Sequence, residues 1–184
     1  MSNQGRAILL AVGGGIAAYK SAILCSRLVQ GGHDVRTAMT HSATEFLGPA
    51  TLAALSGKPV AAGVFDAQQY PLGPHIELAR DLELMVIAPA TANLLAKLAS
   101  GVADDLISTI YLQVACPVLL APAMSNVMWD KPSVQRNVDQ LKSDGCHFVG
   151  PESGWLSCRD KGDGRMSEPE QILSAVEKLI SSAT

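Results

Sequence analysis

Short apolar runs alternate with segments of helical periodicity along most of this chain. In the segment 16–30, Ala17, Leu24 and Leu28 fall at positions i, i+7 and i+11, on one face of a helix. The runs that predict buried strands are 7–12, 34–39, 82–89, 116–122 and 147–150. The segments that predict helices are 16–30, 92–100, 104–114, 131–143 and 168–182. Strands that alternate with helices indicate βαβ units, so we expect an α/β fold: a doubly wound, Rossmann-like parallel sheet in three layers.

The carboxyl ends of the predicted strands are the expected location of a ligand site, because open parallel sheets bind ligands beyond those ends. The four ends that carry candidate residues are 13–15, 40–42, 89–93 and 122–125. A further segment, 150–167, has no periodicity and is predicted to be a long loop. A loop of that length in a compact domain is usually functional or disordered.

Composition narrows the class of protein. The 184 residues, 48% of them apolar, predict one domain over 1–184. A net charge of −3 argues against nucleic-acid binding, and no uninterrupted apolar run reaches the ~18 residues that indicate a membrane span. The four cysteines have no metal-ligand spacing, which predicts no metal site and favours reduced thiols in a cytoplasmic protein. Three of them, Cys25, Cys116 and Cys146, fall in helix or strand patterns and are predicted core residues.

The segment after the first predicted strand carries the pattern Gly13-x-Gly15-x-x-Ala18, which is typical of dinucleotide-binding turns. Such glycines let a phosphate approach backbone N–H groups at a helix N-terminus. A tight strand-to-helix turn without a ligand gives the same pattern, so that alternative stays open. The acid that would bind ribose hydroxyls is missing, because Thr40 and Ser42 end the second strand. Two hydroxyls suit a phosphate better, which favours a mononucleotide such as FMN over NAD.

The end of the third predicted strand supplies Thr91 and Asn93 where a helix begins. Both are candidates for ligand binding, but Thr91 is also a good N-cap, so a purely structural role stays open. Asp104 and Asp105 stand at the start of the next predicted helix, where acids stabilise the helix dipole. We expect these two acids to be structural.

Five motifs occur in order along nearly the whole chain. They are GGIAAYK at 14–20, HIEL at 75–78, PATANLLAKLASGVADDL at 89–106, PAMSNVMW at 122–129 and SCRDKGDGRM at 157–166. With these motifs the chain resembles the flavin-containing cysteine decarboxylases. The resemblance implies a flavodoxin-like sheet, FMN bound without a covalent bond, and a homo-oligomer that is a trimer or a dodecamer built from trimers.

The resemblance also implies roles for individual residues. His75, which by itself would more often be a surface or capping residue, is implied to be a catalytic base or electrostatic partner, since imidazole changes charge near neutral pH. Cys158 is implied to be the proton donor of the final reduction. The implied substrate contacts are Ser125, Met128 and Ala123. The implied cofactor contacts are Gly14, Gly15, Ile16, Thr40, Ser42, Thr91, Ala92, Asn93, Leu94 and Ala123.

One position departs from the family pattern. The family motif is Pro-x-Met-Asn-x-x-Met-Trp, and Ser125 stands at the position of the asparagine. That asparagine is implied to hold the substrate's carboxylate, whereas serine has one donor on a shorter arm. Losing a good hydrogen bond to a charged group typically costs about 1.5–3 kcal/mol. Three interpretations stay open: an engineered change that traps a complex, natural variation compensated by Asn126 or a water, and a shifted substrate.

The activity implied by the resemblance is FMN-dependent decarboxylation of an N-acylated cysteine, by flavin oxidation of the thiol, loss of CO2 and re-reduction of the enethiol. Cys158 in its glycine-rich motif favours 4'-phosphopantothenoylcysteine, a coenzyme A precursor, as the substrate. A C-terminal peptidyl cysteine is an alternative substrate. A non-catalytic flavin-binding regulatory protein and a relative of the flavin prenyltransferases are two further alternatives, and both stay open.

Overall fold

The structure is a computed structural model that describes residues 5–182. Its strands are β1 (Ala7–Val12), β2 (Asp34–Met39), β3 (Val60–Ala61), β4 (Leu84–Ala90), β5 (Val118–Pro122), β6 (His147–Phe148), β7 (Glu152–Trp155) and β8 (Lys161–Arg165). Its α-helices are α1 (Ala18–Gln30), α2 (Pro49–Ser56), α3 (Pro74–Ala79), α4 (Ala92–Ser100), α5 (Leu106–Gln113), α6 (Asn126–Trp129), α7 (Pro132–Ser143) and α8 (Pro169–Ser182). A 3₁₀ turn at His41–Glu45 follows β2. None of the helices between residues 5 and 182 combines the length and the apolar character that crossing a membrane requires.

Six strands form one parallel sheet in the order β3-β2-β1-β4-β5-β6. The order reverses between β1 and β4, so the crevice of a doubly wound sheet opens at the carboxyl ends of these two strands. Without β3, which has only two residues, the order is that of flavodoxin-like sheets. The predicted fold class is therefore confirmed.

Helices cover both faces of the sheet, which explains the uninterrupted apolar runs. In β1, Leu9 and Ala11 pack with α3, α4, α5 and α7, while Ile8, Leu10 and Val12 pack with α1, α2 and α8. A strand buried on both faces needs apolar side chains at every position rather than at alternate ones. The two cores together give the expected three layers.

The prediction of a loop over 150–167 was wrong. Glu152–Trp155 and Lys161–Arg165 pair as an antiparallel hairpin, β7–β8, outside the main sheet. Strand prediction depends on alternating apolar residues, and the KGDGR sequence of β8 has none. The pattern also missed α2, α3, α6 and β3; the helices α3 and α6 have six and four residues, too few to establish a helical period.

Candidate functional site

A cavity of about 510 Å³ lies at the carboxyl ends of the central strands. Residues 14–17, 19, 20, 42 and 91–93 form one part of its wall, and residues 123–125, residue 128 and the β7–β8 hairpin form the other. All four strand ends singled out in the sequence therefore contribute to one cavity.

Close backbone packing explains the glycines after β1. The Gly13 N–H donates a hydrogen bond to the Pro89 carbonyl oxygen at 3.2 Å, and a Cβ on Gly13 would lie 2.4 Å from that oxygen. A Cβ on Gly14 would lie 2.4 Å from the Ser42 hydroxyl oxygen. Since neither contact is sterically allowed, only glycine fits, and peptide groups line the cavity just before α1. A helix N-terminus of this kind favours an anionic group.

The two hydroxyls after β2 occupy different environments. Thr40 is buried, and its side chain caps the 3₁₀ turn by accepting a hydrogen bond from the Ala43 N–H at 3.1 Å. Ser42 lines the cavity, and its hydroxyl lies 3.3 Å from that of Thr40. Thr40 is not among the lining residues, and the hydroxyl contact with Ser42 connects it to the cavity wall.

The start of α4 combines a capping role with an exposed edge of the cavity. Thr91 is the N-cap and accepts a hydrogen bond from the Leu94 N–H at 3.3 Å, which confirms the structural interpretation of its hydroxyl. Thr91, Ala92 and Asn93 also line the cavity. The Leu94 side chain instead lies in the core and is not a lining group.

The structural role expected of Asp104 and Asp105 is confirmed. Asp105 is the N-cap of α5 and accepts a hydrogen bond from the Ser108 N–H at 2.9 Å. Lys97 pairs with Asp104 at 2.6 Å and with Asp105 at 2.7 Å. Burial acts to raise the pKa of Asp105, but the hydrogen bonds from Lys97 and Ser108 outweigh it and hold that pKa below its ordinary value.

The loop between β5 and α6 brings the three predicted substrate residues, Ala123, Ser125 and Met128, to the cavity wall. Ser125 is the N-cap of α6, and its hydroxyl accepts a hydrogen bond from the Met128 N–H at 3.4 Å. Asn126 is not a lining residue; its amide lies 3.5 Å from the Asp160 carboxylate. Asn126 therefore packs against the hairpin and does not replace the missing asparagine at position 125.

Glycines in β8 let the hairpin pack tightly against this loop. The Met124 N–H donates to the Gly164 carbonyl oxygen at 2.9 Å. Gly164 has a φ of +138°, and a Cβ there would lie 2.3 Å from the Met124 carbonyl oxygen. The hairpin tip carries Cys158, an exposed free cysteine that lines the cavity. The packing therefore brings Cys158 and Ser125 to the same cavity, although they are distant in sequence.

Sequence reasoning missed Lys20, which lines the cavity and is only 4% exposed. Its ammonium donates to the Met166 carbonyl oxygen at 2.9 Å and pairs with Glu168 at 3.0 Å. Arg165 also pairs with Glu168, and the hydrogen bond from Lys20 is the main reason that the pKa of this carboxyl is lowered. The network ties the base of the hairpin to α1. A lysine four residues before the buried Leu24 was the available signal, because both lie on the inner face of α1.

The structure does not bring His75 to the cavity of its own chain. His75 lies in the first turn of α3, and it is half-buried. Its Nδ1 is buried and has no hydrogen-bond partner within residues 5–182. The cavity therefore combines Cys158 with Ser125, an implied substrate contact, but leaves out His75, the other residue with an implied catalytic role.

The other cysteines behave as core residues. Cys25 is fully buried, and burial raises the pKa of its thiol to about 11. Burial also raises the pKa of Cys116 and of Cys146. Within the part of the chain that the structure describes, no group of His, Cys, Asp and Glu side chains could hold a metal ion.

A doubly wound sheet whose crevice is lined by a glycine loop and the Ser42 hydroxyl is typical of nucleotide-binding α/β proteins. The sequence pattern of the family described as "Flavoprotein" matches residues 1–181, and the chain belongs to that family. The coenzyme A biosynthesis bifunctional protein CoaBC of Bacillus subtilis (strain 168) is 44% identical over 179 residues. This match covers 97% of the present chain and 44% of that relative, so the chain spans less than half of its length.

Solved structures are similar over almost the whole chain. The FMN-dependent cysteine decarboxylase SpaF superposes with a TM-score of 0.83 at 33% identity, covering 98% of this chain and 97% of that one. A cysteine-to-serine mutant of PPC decarboxylase, complexed with pantothenoylaminoethenethiol, also has a TM-score of 0.83, at 32% identity and with 96% and 98% coverage. These likenesses confirm the resemblance to flavin-containing cysteine decarboxylases that the motifs predicted.

Proposed function

We propose that this chain catalyses the FMN-dependent decarboxylation of 4'-phosphopantothenoylcysteine to 4'-phosphopantetheine in coenzyme A biosynthesis, in the cytoplasm. The observation that carries the proposal is the single cavity that joins Ser125, Met128 and Cys158. The names of the relatives support the substrate, since one is a coenzyme A biosynthesis protein and another a PPC decarboxylase.

FMN is the proposed cofactor because the cavity offers suitable groups for both of its ends. The peptide groups of Gly14 and Gly15 and the hydroxyl of Ser42 would hold the phosphate. The segment 91–93 and Ala123 would flank the ring system. The fit depends on the absence of a side chain at position 14, where a Cβ would meet Ser42 at 2.4 Å. Bound FMN supplies the electron acceptor and donor that the reaction needs.

The proposed substrate residues bind and protonate the cysteine end. The Ser125 hydroxyl donates a hydrogen bond to the carboxylate while its oxygen keeps accepting from the Met128 N–H. Met128 forms an apolar wall that limits access of water. The Cys158 Sγ holds the proton that the substrate carbon receives in the last step.

His75 is proposed to act in the cavity of a second copy of the chain. Its own cavity does not include it, while its Nδ1 remains without a partner in residues 5–182. Exposed Ile16 and Tyr19 border the cavity, and Ile23 continues this apolar surface along α1. A homo-oligomer, a trimer or a multiple of trimers, would cover these side chains and complete the site.

The function is tested by incubating the FMN-loaded protein with 4'-phosphopantothenoylcysteine and measuring CO2 release and product mass. We expect release of one CO2 for each 4'-phosphopantetheine. In the absence of air the Cys158→Ser variant should release at most one CO2 for each bound FMN, form one equivalent of the unsaturated enethiol and keep its flavin reduced. A Cys146→Ser variant is the matched control, since this thiol lies in the core. Absence of CO2 release from both the native protein and Ser125→Asn would contradict the proposal.

A peptidyl cysteine is the second candidate substrate, because the SpaF structure is as similar to this chain as the PPC decarboxylase structure. A short peptide with a C-terminal cysteine in the same assay separates the two. Faster turnover of the peptide would favour this alternative.

A further inference from the structure

The tip of the β7–β8 hairpin carries two basic residues, Arg159 and Lys161, that the proposed mechanism leaves unused. Lys20 and Arg165 line the cavity, but both pair with Glu168. At the hairpin tip, Arg159 and Lys161 are exposed, and neither forms an ion pair within residues 5–182. Two cations without an acidic partner beside a cavity are suited to an anionic group of a ligand.

Hairpin register determines which face Lys161 occupies. Lys161 pairs directly with Trp155, so the two side chains project from the same face of the hairpin. Gly162 lies on the opposite face, against Asn126. Trp155 lines the cavity, so Lys161 lies beside a residue of the cavity wall, although it is not itself a lining residue. Asp163 is the acid that shares this face.

The neighbouring acid Asp160 does not neutralise the tip. Its carboxylate accepts a hydrogen bond from the Lys161 backbone N–H at 2.8 Å and lies 3.5 Å from the Asn126 amide nitrogen. These contacts direct Asp160 back toward α6. The ammonium of Lys161 thus has no salt bridge to it.

Arg159 occupies a backbone conformation that disfavours its residue type. Its φ is +67°, in the left-handed region where glycine and asparagine are common and other residues are rare. Its N–H donates to the Leu156 carbonyl oxygen at 3.0 Å, which closes the turn. Non-glycine residues in this region carry backbone strain and are concentrated at functional sites. The strain points to a functional need for the guanidinium.

We infer that Arg159 and Lys161 form the subsite for the phosphate monoester of the substrate, with Trp155 packing against the acyl chain. The inference rests on the proposed function, in which Ser125 and Cys158 hold the cysteine end and leave the phosphate at the opposite end. Arginine presents a fork of donors that matches phosphate oxygens, and lysine adds a compact second charge. The hairpin would then recognise both the reacting end and the phosphate end.

The test compares two ligands that differ only in this phosphate, 4'-phosphopantetheine and pantetheine. Their dissociation constants are measured by calorimetry on the FMN-loaded protein and on Arg159→Gln/Lys161→Gln. We expect the native protein to prefer the phosphorylated ligand about tenfold or more, and the double variant to lose that preference while binding pantetheine unchanged. Rising ionic strength should reduce the preference of the native protein only. Arg136→Gln, on the surface of α7, is the matched control and should leave it intact.

Equal affinity of the native protein for the two ligands, or an unchanged preference in the double variant, would overturn the subsite. Because binding is measured without turnover, this result is separate from the result on function. A protein that releases no CO2 but loses its phosphate preference on substitution keeps the subsite and loses the proposed function. A protein that decarboxylates normally and shows no effect of substitution keeps the function and loses the subsite.

Discussion

Position 125 combines the capping of a short helix with a place in the cavity wall, where a role in substrate binding is proposed. The Ser125 hydroxyl caps α6 through a hydrogen bond of 3.4 Å, which is longer than most, and the residue also lines the cavity. A hydroxyl can accept that bond and still donate its own proton to a carboxylate. Asparagine is an equally good N-cap and adds two N–H donors on a longer arm. Replacing serine by asparagine should therefore preserve α6 and strengthen substrate binding.

We predict that Ser125→Asn raises kcat/KM for 4'-phosphopantothenoylcysteine by about 10- to 150-fold, the equivalent of one hydrogen bond to a charged group. The measurement is the initial rate of CO2 release at low substrate concentration. Ser133→Asn, an exposed position on α7, is the control and should leave kcat/KM unchanged. An unchanged value for Ser125→Asn would mean that serine already binds the carboxylate fully.

Asp105 makes stability depend on pH. Its folded-state pKa is lowered by Lys97 and Ser108 despite the opposing effect of burial, so the unfolded chain binds a proton more readily. The stabilisation is complete above the ordinary carboxyl pKa of about 4 and is lost as pH falls through the lower folded value. We predict a falling free energy of unfolding below about pH 5, measured by urea denaturation.

Asp105→Asn should reduce the loss of unfolding free energy at acidic pH, because asparagine keeps the N-cap but does not titrate. At pH 7 the variant should lose about 1 kcal/mol through the missing ion pair with Lys97. Asp139→Asn, an exposed position on α7, is the matched control. If Asp105→Asn retained the full pH dependence, other carboxyl groups would account for it.

Among the elements, the β7–β8 hairpin determines where Cys158 lies. Gly164→Ala would place a Cβ 2.3 Å from the Met124 carbonyl oxygen and would force the hairpin away from the loop that holds Ser125. We predict a loss of reduced product of tenfold or more, on the order of the effect of misplacing a catalytic group by 1 Å. Product is quantified by mass spectrometry alongside the melting temperature.

Gly145→Ala is the matched control for the Gly164→Ala variant. Gly145 also has a positive φ, +88°, but a Cβ there would have no neighbour within 4 Å. It should cost about 1–2 kcal/mol of stability through backbone strain alone and leave the product ratio unchanged. Equal activity of the two variants would show that the hairpin tolerates displacement.

A strand or helix could be predicted from the sequence when its own residues carry the pattern that forms it. Strands β1, β4 and β5 are apolar along their length, so their pattern predicted them. Helix α3 gives little such signal, because contacts from a distant residue support it. Arg36, on β2, donates to the carbonyl oxygens of Leu78 and Arg80 at 3.2 Å and 2.6 Å and caps the end of α3. No local pattern reports such a contact.

At the candidate site, the glycine pattern and the positions of the strand ends predicted several of the residues that line the cavity. Gly14, Ser42 and Thr91 were found because strand ends in a parallel sheet converge on one edge. The sequence pattern did not identify Lys20 as a cavity residue, because the hydrogen-bond partners of its buried ammonium, a carbonyl oxygen and a carboxylate, lie about 146 residues away along the chain. Position in sequence carries no information on such a partner.

At the scale of the whole molecule, one chain does not assemble all the proposed catalytic groups. Cys158 and Ser125 line its cavity, but His75 on α3 does not. Ile16, Tyr19 and Ile23 are 57%, 55% and 44% exposed, an apolar surface beside the cavity that a second copy would cover. If a second copy supplies His75, a cavity can combine functional groups from two different defective chains.

We therefore predict complementation between His75→Asn and Cys158→Ser. Each variant alone should form little reduced product, since each lacks one group in every cavity. In a randomly mixed trimer, about one quarter of the cavities would pair Cys158 from one copy with His75 from its neighbour, and reduced product should reappear in proportion. The two variants are unfolded together, refolded with FMN and compared with the same variants refolded separately and then combined. A mixture that forms no more reduced product than the sum of its components would mean that His75 and Cys158 act within one copy, and α3 would then have to move toward its own cavity.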